Sequence, residues 1–236
     1  MSERPTVIGA FRAERRLVRD RTGEYWLARD RDLDRYCLLR LHTPSVSERA
    51  PPIDRQQLSF ALEARALAAV DHPNVARLLD HGLDLSGRPF IVLPAYPKRL
   101  TERLDQTPSL DVAHGTRIML DISAALAAVH AAGFAHGALG PEHVFLRERP
   151  PYAKLLGFSE MAGGAAAAAD VFQLGLLAFR VLAGAAPSAG VLPSDLAPDI
   201  APALERWIVR CLSREPEARP QSGAAALQDL REALAA

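Results

Sequence analysis

The chain changes character near residues 94–97, and this change limits the folds that it can adopt. Before that point, short runs of aromatic and aliphatic residues, broken by charged or Gly-containing turns, are typical of strands. Strands are predicted at 25–27, 36–39, 75–79 and 89–93. Between them, apolar residues at helical spacing predict one helix at 54–70, with Asp54 as its N-cap.

After residue 97 the pattern becomes helical. The longest segment, 111–131, carries Ile118, Ile122, Leu126 and Val129 on one stripe, as an amphipathic helix does. Further helices are predicted at 170–183, 202–212 and 223–234, and short strands at 144–146 and 153–156. This order predicts an α+β fold of two lobes: an N-lobe at 1–96 with a small antiparallel sheet and one helix, and a mainly α-helical C-lobe at 97–236.

Residues 136–146 read HGALGPEHVFL. They resemble the catalytic loop of protein kinases, HRDLKPENILL, and retain its framework residues: His136, Leu139, Pro141 and Glu142. In the family, the loop's Asp accepts the substrate hydroxyl proton, its Lys neutralises the transferred phosphoryl group and its Asn holds magnesium. This chain has Ala138, Gly140 and His143 at those three positions.

Other segments resemble protein kinase landmarks in the family's order. Residues 60–79, with Glu63 and the turn sequence HPNV, are similar to helix C and its following turn. Residues 170–177 resemble the start of helix F, and 211–220 resemble the CLxxDPxxRP segment of bacterial serine/threonine kinases. The resemblance therefore implies a protein kinase-like fold of the bacterial serine/threonine branch. Sugar- and aminoglycoside-phosphorylating enzymes are the nearest rival family, since His136-Gly137 matches their HGD motif.

The resemblance also locates the family's nucleotide site, where this chain departs from the pattern. The glycine-rich phosphate loop maps to Val18, Asp20 and Gly23, of which only the last is a glycine. Because glycines let the backbone approach the ATP phosphates, this loop is expected to be degenerate. Tyr25 and Leu38 match smaller residues that roof the adenine pocket in the family, and they are expected to fill it.

Arg40 replaces the family's nucleotide-gripping lysine. It is expected to form an ion pair with Glu63, the alternative being a solvated arginine without a partner. Gly157-Phe158 begins the segment that matches the DFG motif, whose Asp binds magnesium in the family. Glycine supplies no ligand there, so we expect no metal and no cofactor.

Five retained positions are expected to be structural: Glu63, His136, Phe158, Asp170 and Arg219. In the family the arginine at position 219 pairs with a glutamate of an APE motif, and this chain has no such motif. Only residues 159–169 separate the DFG-like site from the predicted helix, too few for a peptide-substrate platform. The partner of Arg219 is left open.

The net charge of zero argues against a dedicated nucleic-acid-binding protein. The two cysteines, Cys37 and Cys211, lack CxxC spacing and are expected to be reduced core thiols. The absence of a long apolar run predicts a cytoplasmic protein without a membrane segment.

These observations together predict a pseudokinase, a kinase-like domain that is not an enzyme. It would act as a protein-binding scaffold or allosteric regulator, with an active kinase or another pathway protein as its partner. The alternative is a residual nucleotide-binding kinase-fold enzyme, an atypical phosphotransferase. The oligomeric state is left open.

Overall fold

The computed structural model describes residues 7–19, 23–42, 55–158, 160–161 and 163–236. The chain divides into two compact units. Unit 1 contains the described residues before Ala69 together with Ala76–Tyr96, and unit 2 contains Ala69–Val75 and Pro97–Ala236. The predicted Asp54 N-cap lies outside the described residues.

Unit 1 is built on a six-stranded antiparallel sheet with the order β1-β2-β3-β4-β6-β5. Its strands are β1 (Val7–Ile8), β2 (Phe11–Arg19), β3 (Gly23–Asp30), β4 (Arg35–His42), β5 (Asp80–Leu83) and β6 (Pro89–Pro94), and helix α1 is Arg55–Ala69. The predicted strand at 75–79 is wrong, since the strand begins at Asp80. Val75 takes part only in an isolated β-bridge with Leu155. In this bridge the Leu155 N–H donates to the carbonyl of the preceding residue, Asn74.

The central strands of unit 1 bury both of their faces. Residues opposite each other in antiparallel strands share a face, so Trp26 lies beside Leu39 and Val92 on one side. On the other side Tyr25 lies beside Arg40, which in turn faces Ile91. All of these side chains are buried. Of these six residues Arg40 alone is charged, and it lies on a sheet face on which its neighbours Tyr25 and Ile91 are aromatic and aliphatic.

Unit 2 is mainly helical. Its helices are α2 (Leu100–Gln106), α3 (Val112–Ala131), α4 (Gly164–Ala183), α5 (Pro193–Leu196), α6 (Pro202–Cys211) and α7 (Gly223–Ala235). Its short strands are β7 (Lys98–Arg99), β8 (Phe134–Ala135), β9 (Val144–Leu146), β10 (Ala153–Leu155) and β11 (Glu160–Met161). Helix α4 begins six residues before the predicted start, because the alanine run ahead of Asp170 is strongly helix-forming. The predicted α+β class is confirmed.

Helix α3 forms the centre of unit 2, packing against α7 and α4. The predicted stripe of Ile118, Ile122, Leu126 and Val129 is fully buried. Gly223 lets α7 approach α3 closely, since a Cβ there would lie 2.5 Å from the Leu126 carbonyl carbon. Among the described residues, α3 and α4 are long and apolar enough to cross a membrane, and at least half of each apolar stretch is buried inside the unit. Core helices of soluble proteins have the same properties.

Candidate functional site

The carboxylate of Asp170 anchors the start of the loop that follows β8. Asp170, on α4, accepts hydrogen bonds from the backbone N–H groups of His136 (2.7 Å) and Gly137 (2.8 Å). It accepts a third from His130 Nε2 at 2.9 Å. Burial alone would raise the pKa of Asp170, but the hydrogen bonds from His130 and the two N–H groups lower it overall. Asp170 is therefore an ionised, fully buried anchor for the start of the loop.

Two residues that hold this loop were not identified from the sequence. The His130 Nδ1 accepts the Gly223 N–H at 3.0 Å, so its Nε2 carries the proton that is donated to Asp170. Gln173 accepts the Leu139 N–H at 2.6 Å. No local pattern marks either residue, because their partners lie between 34 and 93 positions away in the chain.

His136 is a neutral core residue. Its Nε2 donates to the Leu156 carbonyl (2.9 Å), and its Nδ1 accepts the Ala138 N–H (3.3 Å), an arrangement that suits one neutral tautomer. The pKa of His136 is lowered to about 3, mainly by burial and secondly by the nearby His143 imidazole. The Phe158 ring lies 5.4 Å from the His136 ring in an edge-on arrangement. His136 and Phe158 thus pack together beneath the loop.

His143 and Gly157 are in direct contact. A Cβ at Gly157 would lie only 2.6 Å from His143 Cδ2, and the glycine has a φ of +93°, which favours a residue without a side chain. The His143 Nδ1 donates to the Ala138 carbonyl at 2.9 Å. The imidazole therefore fills the space beside Gly157, and its position is fixed by the loop itself.

The structure places His143 in contact with both Gly157 and the Ala138 carbonyl. Magnesium prefers oxygen ligands, whereas these positions supply a methyl group, an imidazole and no side chain. These groups do not fit as magnesium ligands. Among the residues that the structure describes, no group of three or more His, Cys, Asp or Glu side chains could hold a metal.

Gly140 lies beside the framework residue Glu142. A Cβ at Gly140 would approach both Glu142 carboxylate oxygens to 2.5 Å. The Glu142 carboxylate thus covers the position where the family carries its lysine, and His143 Nδ1 is 4.0 Å from the same carboxylate.

In unit 1 the expected pair forms: Arg40 makes an ion pair with Glu63 of α1, and both side chains are buried. Tyr25 lies under the Arg40 guanidinium, 5.3 Å from ring centroid to Cζ, a cation–π distance. Tyr25 and Leu38 are each 1% exposed. The buried charge is therefore compensated by a carboxylate and an aromatic face.

The phosphate-loop positions are only partly described. Val18 lies near the end of β2, opposite Tyr25, and Gly23 begins β3, opposite His42. Asp20 lies outside the described residues, as does Ser159. Gly23 is buried against the backbone of Leu41, so a glycine there serves strand packing.

Arg219 replaces its lost glutamate with carbonyl groups. It donates to the carbonyls of Ser213 (2.8 Å), Arg214 (3.2 Å) and Ala168 (3.4 Å). Its guanidinium also lies over the Phe172 ring, 4.7 Å from the centroid. Arg219 thus ties the segment before α7 to the first turns of α4.

No family model matches the chain, but individual relatives do. It is 27% identical to serine/threonine-protein kinase pkn2 of Myxococcus xanthus over 97% of this chain, and 24% identical to PknA of Mycobacterium tuberculosis over 92%. It is also 30% identical, over 74% of its length, to the DNA damage-responsive serine/threonine-protein kinase RqkA of Deinococcus radiodurans. The chain spans 32% of pkn2, 60% of PknA and 33% of RqkA.

Solved structures show the same fold. The kinase domain of Mycobacterium tuberculosis PknI superposes with a TM-score of 0.76 at 22% identity, covering 99% of each chain. The apo form of PpkA-294 superposes with a TM-score of 0.80 at 18% identity, covering 98% of this chain and 99% of that one. The expected two-lobed kinase-like fold is confirmed.

The comparisons also correct one prediction. The sequence predicts that the chain is not an enzyme, and this is wrong: its relatives along most of its length are named serine/threonine-protein kinases, which points to an enzyme. The prediction relied on individual side chains, such as Ala138, while the comparisons extend over the whole domain.

Proposed function

The chain belongs to the protein kinase superfamily, and from this premise we propose that it is a regulatory, protein-binding kinase domain of a bacterial-type serine/threonine kinase system. Its proposed partner is an active kinase or another protein of the same pathway, and its proposed location is the cytoplasm. A kinase fold offers a large, ordered surface, and function on such a fold depends on its site rather than on the fold.

One observation carries this proposal: the contact between His143 and Gly157. In the family these two positions supply magnesium ligands. Here the imidazole packs on the glycine and donates to the Ala138 carbonyl, so the space is filled by hydrogen-bonded groups of the chain. The loop is thereby built as a fixed frame, anchored by Asp170, and a fixed frame suits recognition of a protein surface.

A second candidate is an atypical phosphotransferase that binds a nucleotide. The names of the relatives favour it, and so does the buried ion pair between Arg40 and Glu63. Arg40 stands at the position of the family's nucleotide-gripping lysine, and a guanidinium can also bind phosphate.

The two candidates differ in what the chain does to a kinase reaction. We would purify the chain and an active serine/threonine kinase of the same organism, and measure phosphoryl transfer by each alone and by the mixture. The regulatory function predicts that adding the chain changes the rate of its partner in a saturable way. A partner rate that does not respond, with transfer by the chain alone, would refute it in favour of the second candidate.

A thermal-shift titration with ATP and magnesium provides an independent measurement. Under the second candidate, saturating nucleotide stabilises the chain, and Arg40→Ala removes that stabilisation. Arg35→Ala is the matched control, since Arg35 lies on the same strand with an exposed side chain. Under the regulatory function, neither variant changes the chain's effect on its partner's rate, provided that both remain folded.

A further inference from the structure

Unit 2 contains a groove of about 370 Å³ between α3 and the second half of α7. Leu120 and Ala124 line it from α3, and Leu227 and Leu234 line it from α7. Leu234 is 46% exposed although it is apolar. Spaces of roughly 300–1,000 Å³ with apolar walls are typical binding sites, so this groove is large enough to accept side chains of a ligand.

Two oxygen-bearing side chains in the lining of the groove hold the same residue, Ala153 of β10. The Asn74 Nδ2 donates to the Ala153 carbonyl at 3.2 Å, and the Asp121 Oδ2 accepts the Ala153 N–H at 2.9 Å. These bonds fix both side chains and leave the Oδ1 atom of each without a donor among the described residues. Asn74 is only 6% exposed. Because an acceptor at a buried position costs free energy when it lacks a donor, this pair favours a ligand that supplies donors.

The charged groups of the groove are not paired with each other. Lys154, which follows Ala153, uses its ammonium to donate to the Val75 carbonyl at 3.1 Å, and within the described ranges it forms no ion pair with Asp121. Arg231, which lines the groove from α7, is exposed, and no residue that the structure describes forms an ion pair with it. The groove therefore presents one carboxylate and one guanidinium, each able to meet an opposite charge of a ligand.

We propose that this groove binds a segment of a partner protein that contains an arginine, apolar residues and a carboxylate. The guanidinium of the segment donates to the free oxygens of Asp121 and Asn74, since its planar fork suits two acceptors that flank one residue. Its aliphatic stem and the apolar residues lie between α3 and α7, and the carboxylate pairs with Arg231. A purely apolar ligand would leave both charges unmatched, and a purely cationic one would leave Arg231 unmatched.

This surface uses none of the residues of the candidate site. The groove lies wholly within unit 2, and Asn74, Asp121 and Arg231 are not among the residues that hold the loop at 136–146. The proposal therefore does not depend on the function proposed above, and either one can fail without the other.

Fluorescence anisotropy of labelled peptides, titrated with the full chain, tests the proposal. The panel consists of short peptides that combine one arginine, several leucines and one glutamate at varied spacing. Each has a twin in which citrulline, which keeps the shape of arginine but lacks its charge, takes the arginine's place. At least one arginine peptide should bind with a dissociation constant below about 1 mM. Its citrulline twin should bind about 10-fold more weakly, because a charge-assisted hydrogen bond is lost.

Three variants assign the binding to the groove. Asp121→Asn keeps an acceptor for the Ala153 N–H but removes the charge, so it should abolish the difference between the twins, which a merely structural role would not do. Ala124→Trp fills the groove and should raise the dissociation constant by about 30-fold or more. Arg231→Glu should raise it by about 3-fold, as expected for an exposed pair. That last variant should instead prefer a peptide in which lysine replaces the glutamate.

Arg206→Glu is the matched control, because Arg206 is also an exposed arginine on a helix of unit 2 but does not line the groove. It should bind the peptides like the unmodified chain. Circular dichroism of each variant checks that it remains folded.

Several results would overturn the proposal. These are a panel without any binding peptide at about 1 mM, twins that bind the unmodified chain equally, or a folded Ala124→Trp chain that binds normally. A free alkylguanidinium that binds as tightly as the peptide would assign the groove to a small cation instead. Sedimentation that shows a dimer which Ala124→Trp abolishes, without peptide binding, would assign it to a second copy.

Discussion

Replacing Gly157 with alanine tests whether the contact with His143 shapes the candidate site. Two costs are combined at this position. The first is the backbone, since φ is +93° and an L-residue there loses roughly 1–2 kcal/mol. The second is steric, because the new Cβ would lie 2.6 Å from His143 Cδ2 and 3.0 Å from Cγ. The ring would have to move, and its hydrogen bond to the Ala138 carbonyl would weaken.

The structure allows the two costs to be separated. Gly133 has a similar φ of +84°, but a Cβ there would meet nothing within 4 Å. Gly133→Ala therefore measures the backbone cost alone, roughly 1–2 kcal/mol. Overpacking typically adds about 1–3 kcal/mol, so Gly157→Ala should lower the free energy of unfolding by about 2–5 kcal/mol. In a His143→Ala background the steric part disappears, and the cost should fall to that of Gly133→Ala.

The assay is urea unfolding followed by tryptophan fluorescence. The chain has two tryptophans, Trp26 in unit 1 and Trp207 in unit 2. In a Trp26→Phe background the remaining Trp207, which is buried on α6, reports unit 2. The double-mutant cycle between Gly157→Ala and His143→Ala should give a coupling of about 1–3 kcal/mol. Equal costs for Gly157→Ala and Gly133→Ala in both backgrounds would refute the steric reasoning.

Three further predictions concern buried groups. Asp170→Ala leaves three hydrogen-bond donors without their acceptor and should lower the free energy of unfolding in urea by about 3–5 kcal/mol. The control Asp229→Ala removes a partly exposed ion pair and should lower it by about 0–1 kcal/mol. Similar costs for both variants would contradict the anchor role of Asp170. Because the pKa of His136 falls from 6.5 to about 3 in the folded chain, the unfolded state binds the proton first, and stability should decrease below pH 6.5 by up to about 1.4 kcal/mol per pH unit. Urea midpoints at neutral and mildly acidic pH measure this, and His136→Gln should show a shallower decrease. Burial raises the pKa of the Cys37 thiol to about 11 and that of Cys211 to about 12. A thiol reagent at mildly basic pH should therefore label both cysteines only after unfolding. Rapid labelling of the folded chain would argue against their burial.

Much of the candidate site could be predicted from the sequence, because its residues lie close together in the chain. The loop at 136–146 contains its own framework, and its resemblance to a known motif is enough to assign Ala138 and His143 to the site. Gly157 follows from the order of the segments. The roles of His130 and Gln173 could not be predicted, because a hydrogen bond between distant residues leaves no pattern in either local segment.

The strand predicted at 75–79 shows the same limit in the fold. Its composition is typical of a strand, but Asn74 joins this segment to β10: its carbonyl accepts the Leu155 N–H at 2.8 Å and its side chain donates to the Ala153 carbonyl at 3.2 Å. Tertiary hydrogen bonding therefore overrides local preference here.

The sequence by itself determined the α+β class, the order of its elements and the side chains available to the site, because periodicity and turn residues act over a few neighbouring positions. Only the tertiary structure decided how those side chains are used. It placed the His143 ring on Gly157, gave Arg219 carbonyl groups in place of its missing glutamate, and gathered three donors around Asp170. The donors around Asp170 and the contact of Arg219 with the Ala168 carbonyl join segments 33 to 51 positions apart, and such packing is a property of the folded units.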